Sequence, residues 1–341
     1  MTATNHSANQ GRVPAQGAAQ QMPTTAPTSH AQGAPVPAQA AYAQAPAAAP
    51  AAHVQAAQAP AQQGQVLQAP HGQVPAQQRA PRRRVQAKQT FFSVFRSEWS
   101  KLASLRSTWI TAAIASLITI GISVLIMAQY SGMKGYADKA ANYLTVGSSF
   151  GQIAVAVLGA LLITGEYSSG QIRSSLAAVP RRGRLFAAKA VVVTIFSALL
   201  GLVTVALTYL LSLPILGNKA GSLSNPEYLG FFWGTAMAFA IIGLMAMSFG
   251  YILRSTAGSI SLVVVLLFVL LIPLGLAASK WDWVRYITEV LPSSSAAAVA
   301  DPYNLLATPT KLDYGVVIAS GYAWAIIPMI IAFFVFSKRD A

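Results

Sequence analysis

Six stretches without a single charged residue dominate the chain beyond residue 108: 108–127, 146–165, 190–213, 230–253, 258–278 and 315–336. About 20 helical residues span the hydrocarbon core of a bilayer, so each stretch can cross a membrane once. Lipid offers no partners for backbone N–H and C=O groups, and a helix satisfies its own. The expected fold class is therefore an all-α membrane protein with six transmembrane helices. Pro273 and Pro328 lie inside the fifth and sixth stretches and are expected to kink them. The second stretch carries Gly147, Gly151 and Gly159, expected to form one small-residue face for close helix packing. Hydroxyl residues within the spans, such as Ser116 and Thr204, suit hydrogen bonding between helices.

Charge sets the expected orientation. Of 23 Lys and Arg residues, six (Lys134, Lys139, Lys219, Lys280, Arg285 and Lys311) fall in the loops outside when the N-terminus is placed inside. The other 17, the remainder of 23, fall on the inner side. The positive-inside rule then puts both termini of a multi-pass membrane protein in the cytoplasm. In this setting the formal charge of +14 is read as lipid-facing rather than nucleic-acid-binding.

Composition excludes much chemistry. There is no cysteine, so disulfides, thiolate metal sites and thiol nucleophiles are absent. All four histidines (His6, His30, His53 and His71) lie before the spans and show no metal spacing. Neither G-x-x-x-x-G-K-[ST] nor G-x-S-x-G occurs, so the chain has no P-loop for ATP and no hydrolase elbow. No span interior, counted as those charge-free runs, holds an ionisable side chain, which argues against a proton-coupled carrier. The chain is expected to be no enzyme, and to bind no metal or cofactor itself.

Residues 1–89 are rich in Ala, Gln and Pro, without an acid and with one aromatic, Tyr42. Such a segment cannot offset the entropy of ordering, and is expected to be a disordered cytoplasmic tail. It ends in Arg82, Arg83, Arg84 and Lys88, a positive anchor for anionic headgroups. Residues 90–341 form the expected membrane domain.

From Thr90 to Ser107, TFFSVFRSEWSKLASLRS has helical periodicity. Phe91, Phe95, Trp99, Leu102 and Leu105 are expected on one face, with Ser93, Ser97, Ser100, Lys101 and Ser104 on the other. Aromatics with basic residues suit a helix lying in the membrane interface. Glu98 projects near the apolar side; either it pairs with Lys101 one turn on, or it points at a partner. Beyond the fifth span, KWDWVRYITEVLP in the 279–314 loop reads as an interfacial helix at the opposite leaflet, either an aromatic anchor or an outer gate or substrate exit surface.

The stretch between the second and third spans, GEYSSGQIRSSLAAVPRRGRLFAAK, carries Arg173, Arg181, Arg182, Arg184 and Lys189 against the single acid Glu166. Gly170 and Pro180 bracket a short helix with Ile172, Leu176 and Val179 along one side. That side can dock into a partner's groove or pack against the chain's own spans. Glu166, at the end of its span, either pairs with a nearby base or links the span to a motor.

Taken together, RSEWSKLASLRST before the first span and this basic string after the second resemble the permease subunits of type 2 ABC exporters, most closely those of high-GC Gram-positive bacteria. The resemblance covers about residues 90–341 and implies a place in the bacterial cell membrane. It implies a translocation path built by two permease copies, identical or similar, driven by a separate ABC ATPase that binds the ATP. By position it assigns Glu166, Ile172, Arg173 and Leu176, followed by Arg181, Arg182 and Arg184, to coupling with that ATPase. It makes the segment with Phe95, Glu98, Trp99, Lys101 and Leu102 the interface helix, and places short extracellular helices in the last loop. Membrane lipid is the remaining partner; nucleic acid is not one. A non-transporting sensor subunit is the alternative, and a carboxylate-based membrane enzyme or an ATP-independent channel are more remote.

Overall fold

The structure, a computed structural model, describes residues 90–338. The tail expected over residues 1–89, its histidines and the Arg82–Arg84 cluster lie outside the described residues, as does Arg339. The described residues are helical without strands, and six helical segments are long and apolar enough to span a membrane.

Helix α1 spans Phe91–Ser104, and the Thr90 side chain caps it by accepting from the Ser93 N–H. At Leu105 the backbone extends (φ −80°, ψ 120°) and ends the helix three residues before the expected boundary. The Trp109 indole spans this break, donating to the Ala103 carbonyl at 2.8 Å. Helices α2 (Arg106–Ser131) and α3 (Ser148–Ser168) are the first two spans, joined through a 3-10 segment, Ala137–Thr145. A short α4 (Gln171–Ala178) follows Gly170, whose φ of 70° is left-handed and suits glycine. The expected short helix between Gly170 and Pro180 is thus present.

Helix α5 runs Arg182–Leu216, beginning eight residues before the third charge-free run. It therefore draws Arg182, Arg184 and Lys189 out of the supposed loop and into a helix. Helix α6 (Pro226–Leu253) ends at Arg254, which adopts φ 52° to make the tight turn into the fifth span. That span is interrupted: α7 (Thr256–Val264), a π-helical turn over Val265–Val269, then α8 (Leu271–Ala278). Pro273 sits in the first turn of α8, where its missing N–H costs least, and the Leu270 N–H reaches back to Val265 O at 3.0 Å. Helix α11 (Tyr314–Lys338) closes the domain, with Pro328 inside it.

Two short helices fill the last loop. Helix α9 (Asp282–Glu289) exposes Trp281, Trp283 and Tyr286, as an interfacial helix should. Helix α10 (Pro292–Ala300) is unlike it. Its small residues let it sink into the bundle, where Ala296, Val299 and Ala300 join the core with Ile242 and Met245 of α6. Periodicity gave no sign of α10, because PSSSAAAVA has almost no polar–apolar contrast.

Helix α6 forms the centre, packed by α3, α5, α10 and α11. Glycines permit the closest approaches. A Cβ on Gly159 of α3 would lie 2.3 Å from the Gly243 carbonyl of α6. Gly147 and Gly151 instead meet α2 at Thr119. The three glycines thus serve two helix contacts rather than the single face expected from the sequence. Between α2 and α5, the hydroxyls of Ser116 and Thr204 lie 3.1 Å apart. At the α4 end a second core joins Val94 of α1, Ile163 of α3, Ile172 of α4, Phe186 of α5, Tyr251 of α6 and Phe336 of α11. The first and last described helices therefore meet at the same end, as an even number of crossings requires.

Candidate functional site at the α4 end of the bundle

The buried line of α1 is Val94, Glu98 and Leu102, spaced one turn apart. Phe95 and Trp99 flank it half-buried, with Trp99 edge-on to Phe196 of α5 at 6.3 Å. Phe91 and Leu105 are exposed, so the chain itself covers only the middle of the expected apolar face. A carboxylate at the middle of a buried line needs a compensating charge. Glu98, 4% exposed, has two. Lys101 Nζ donates to Glu98 Oε1 at 2.7 Å, and Lys189 Nζ of α5 donates to Glu98 Oε2 at 2.5 Å. Glu98 thus faces the chain's own interior, which removes the alternative that it points at a partner.

Glu166, at the end of α3, completes the cluster. Its Oε1 accepts from Lys189 at 2.7 Å and from Lys101 at 3.2 Å. Lys101 makes a third bond, 3.1 Å to Ser175 Oγ on α4. Two carboxylates and two ammoniums thereby join α1, α3, α4 and α5. Lys189 is wholly buried, while the Lys101 side chain keeps 33% of its surface exposed. Glu166 Oε2 and the Tyr251 hydroxyl, both shut from solvent, have no hydrogen-bond partner among the described residues.

Burial by itself would push the Glu98 carboxyl up, but the ammoniums of Lys189 and Lys101 outweigh it and hold the group below its ordinary 4.5. Lys101 mirrors this. Burial pulls its ammonium down, and the hydrogen bonds and fields of Glu98 and Glu166 more than reverse that, leaving it above its ordinary 10.5.

The sequence had counted the spans as free of ionisable groups. Lys189 corrects this, because it belongs to the membrane-spanning α5 and was assigned to a loop only by the rule that spans are charge-free runs. The available signal was two acids, Glu98 and Glu166, each placed among apolar residues at a membrane boundary in a chain with only nine acids. Ser175 carried no signal.

The other residues assigned to coupling divide by face. Ile172 is buried in the core below α4, and Leu176 packs half-buried beside it. The apolar side of α4 is therefore turned to the chain's own helices, the second of the two placements open to it. Glu166 is likewise interior. Arg173, with Ser174 and Ala177, lies exposed on the outer side of α4. Arg181 is exposed, whereas Arg182 and Arg184 are half-buried. Arg182 Nη1 donates to the carbonyls of Phe336 and Ser337, both at 3.3 Å, a cation at the C-terminus of α11. Nearby, the Arg254 guanidinium lies 5.1 Å from the centre of the Tyr167 ring.

A short helix is thus held across the end of a six-helix bundle by an apolar contact below and a hydrogen bond to a buried ion cluster. The family described as ABC-2 family transporter protein matches residues 94–270, just over half of the chain. The chain belongs to this family. It is a permease subunit of an ABC transporter, a multi-pass membrane protein whose family is the membrane component rather than the ATPase. The matched span runs from α1 through the π turn, and so includes the whole ion cluster and α4. Among curated proteins, none matches the chain.

Proposed function

We propose that the chain is the membrane half of an ATP-driven exporter, moved by a separate ATPase subunit that docks on α4. Two permease copies form the working unit, and the α4 end, with both termini, is cytoplasmic. The observation that carries this reading is the attachment of α4. Its outer side offers Arg173, Ser174 and Ala177, while its inner side is tied through Ile172 and Ser175 to α1, α3 and α5. A push on α4 is thereby delivered to three helices at once, two of which cross the membrane. Coupling falls to Arg173 and the exposed residues beside it as the contact, with Glu166, Glu98, Lys101 and Lys189 transmitting from within. The resemblance to exporters of high-GC Gram-positive bacteria supports the direction of transport.

The absence of native cysteine makes the test direct. Ala177→Cys and Arg173→Cys, treated with a short thiol-to-amine cross-linker in native membranes, should each capture a P-loop ATPase. Leu276→Cys, exposed on α8, should not. Capture at Leu276→Cys with none at the α4 positions would overturn the docking surface. No co-purifying P-loop protein under any condition would overturn the separate-ATPase reading and favour a sensor subunit.

A further inference from the structure

A cleft of about 500 Å³ opens beside the ion cluster, between the end of α1, the start of α2 and the end of α3. Its volume falls within the ordinary range of small-molecule sites, roughly 300–1,000 Å³. One part of its wall is polar: Glu98, Lys101 and Glu166, with the hydroxyls of Thr108 and Thr111. The other is aliphatic: Leu105, Leu158, Leu161 and Leu162. Along α3 the lining passes from Glu166 at the helix end to Leu162, Leu161 and Leu158 farther in, an order that fits a molecule with a polar head and a hydrocarbon tail. The cleft lies where the interface helix meets the first two spans, the depth at which such molecules reside.

Charge narrows the head. The two carboxylates of the cluster are balanced by its two ammoniums, so a head of either net charge gains no monopole attraction there. Lys101, the ammonium that reaches the cleft surface, has already given hydrogen bonds to Glu98, Glu166 and Ser175. A phosphate could bind it only by taking one of these bonds away. An added ammonium would compete with Lys101 and Lys189 for carboxylate oxygens that are already engaged, apart from the solvent-shut Oε2 of Glu166. Local dipoles remain available, and they suit hydroxyl donors and acceptors. We propose that this cleft binds a single-chain amphipath with an electrically neutral, hydroxyl-bearing head. The same chemistry could come from a lipid of the adjoining leaflet or from the transported compound. Identification as cargo rests on the proposed transport function; binding does not.

The experiment uses the full chain in phosphatidylcholine nanodiscs, with and without its ATPase. The probe is a monoacylglycerol with a photoreactive diazirine in the acyl chain, compared with the same tail bearing a phosphate or a trimethylammonium head. The neutral probe should label the 158–165 segment of α3 most strongly. Thr111→Trp and Leu161→Trp, which fill the cleft without touching the ion cluster, should each reduce that labelling about tenfold, the effect of excluding two or so methylenes from an apolar wall. A thermal melt confirms that each variant folds. Equal labelling by all three heads, or undiminished labelling in both folded variants, would overturn the proposal. If ATP turnover by the partner clears the label, the amphipath is cargo; if the label persists through turnover, it is a resident lipid. Both outcomes support the site, and neither depends on where the ATPase docks, because the α4 cross-links are read separately.

Discussion

Replacing Lys189 by Met keeps the length and packing of a buried stem and removes only its charge. Glu98 then loses the 2.5 Å partner of Oε2, Glu166 loses its 2.7 Å partner, and Lys101 is left to balance two carboxylates. Breaking a buried pair by removing one member typically costs about 3–5 kcal/mol. An independent route gives a similar figure. The fold can avoid the surplus charge by protonating one carboxylate, and holding a group of ordinary pKa about 4.3 neutral at pH 7 costs about 3.7 kcal/mol. At 2–4 °C per kcal/mol for a domain of this size, Lys189→Met should lower the melting temperature by roughly 7–15 °C at pH 7. The second route adds a sharper requirement, since its cost falls by about 1.4 kcal/mol for each pH unit toward acid. The deficit relative to wild type should therefore shrink markedly at pH 5.5. Glu98→Gln combined with Lys189→Met restores the balance of one carboxylate with one ammonium and should recover most of the loss. The assay is intrinsic fluorescence of the six tryptophans during a thermal ramp in detergent. A Lys189→Met loss below about 2 °C, or one that does not change between pH 7 and 5.5, would refute the reasoning from buried charge.

Four further outcomes follow from the structure. Wild-type stability should form a plateau with falling edges: the Glu98 carboxyl is lower in the fold than in the unfolded chain, so its contribution is present above 4.5 and lost as pH falls through the folded value, while Lys101 is higher, so its contribution is present below 10.5 and lost as pH rises through the folded value. Asp301, raised by burial against the weaker pull of the Leu305 and Leu306 N–H groups, works against the acid edge; in a melt-versus-pH series Asp301→Asn should therefore leave that edge steeper. Gly159→Ala should cost about 1–3 kcal/mol by forcing α3 away from the Gly243 carbonyl, whereas Gly121→Ala, with nothing within 4 Å, should be neutral or slightly stabilising; thermal melts of the pair separate packing from helix propensity. Arg182→Ala should cost about 1 kcal/mol by uncapping α11, and should speed tryptic cleavage at Lys338 with Arg182→Lys intermediate.

Hydrophobic length made the six membrane-spanning helices legible, because lipid leaves the backbone no other choice. Gly170 and Pro180 made α4 legible for a similarly local reason, a left-handed residue before it and a missing N–H after it. What stayed hidden depends on tertiary contacts. Helix α10 is identified by what surrounds it, since small residues are as compatible with a solvent loop as with a tight seat against Gly234 and Gly321. Helical spacing put Phe91, Phe95, Trp99, Leu102 and Leu105 on one side of α1 without saying which of them the chain itself covers. Glu98 lies inward and Phe91 outward, an order made possible by the ammoniums of Lys101 and Lys189. For Ile172 and Leu176 the spacing left two placements open, a partner's groove or the chain's own spans. An apolar stripe identifies a buried face without saying what covers it, and here the cover is the chain's own α3, α5 and α6.

The cluster also bears on why the joint below α4 is ionic at all. Well-packed aliphatic side chains of equal volume are often as stable as a buried ion pair, or more so, and stability alone therefore does not account for four charged groups here. What charges supply is direction. Lys101 reaches α4 only through Ser175, and reaches α3 only through one oxygen of Glu166. Apolar packing would let α4 slide with small loss at each step, because dispersion contacts are many and individually weak. A hydrogen bond to an ammonium weakens over a fraction of an ångström, so displacement of α4 either carries Lys101 and α1 with it or breaks the Lys101–Ser175 bond, on the order of 1.5–3 kcal/mol. On the proposed docking of an ATPase at α4, this joint would pass a push on α4 to α1 and, through the four charges, to α3 and α5.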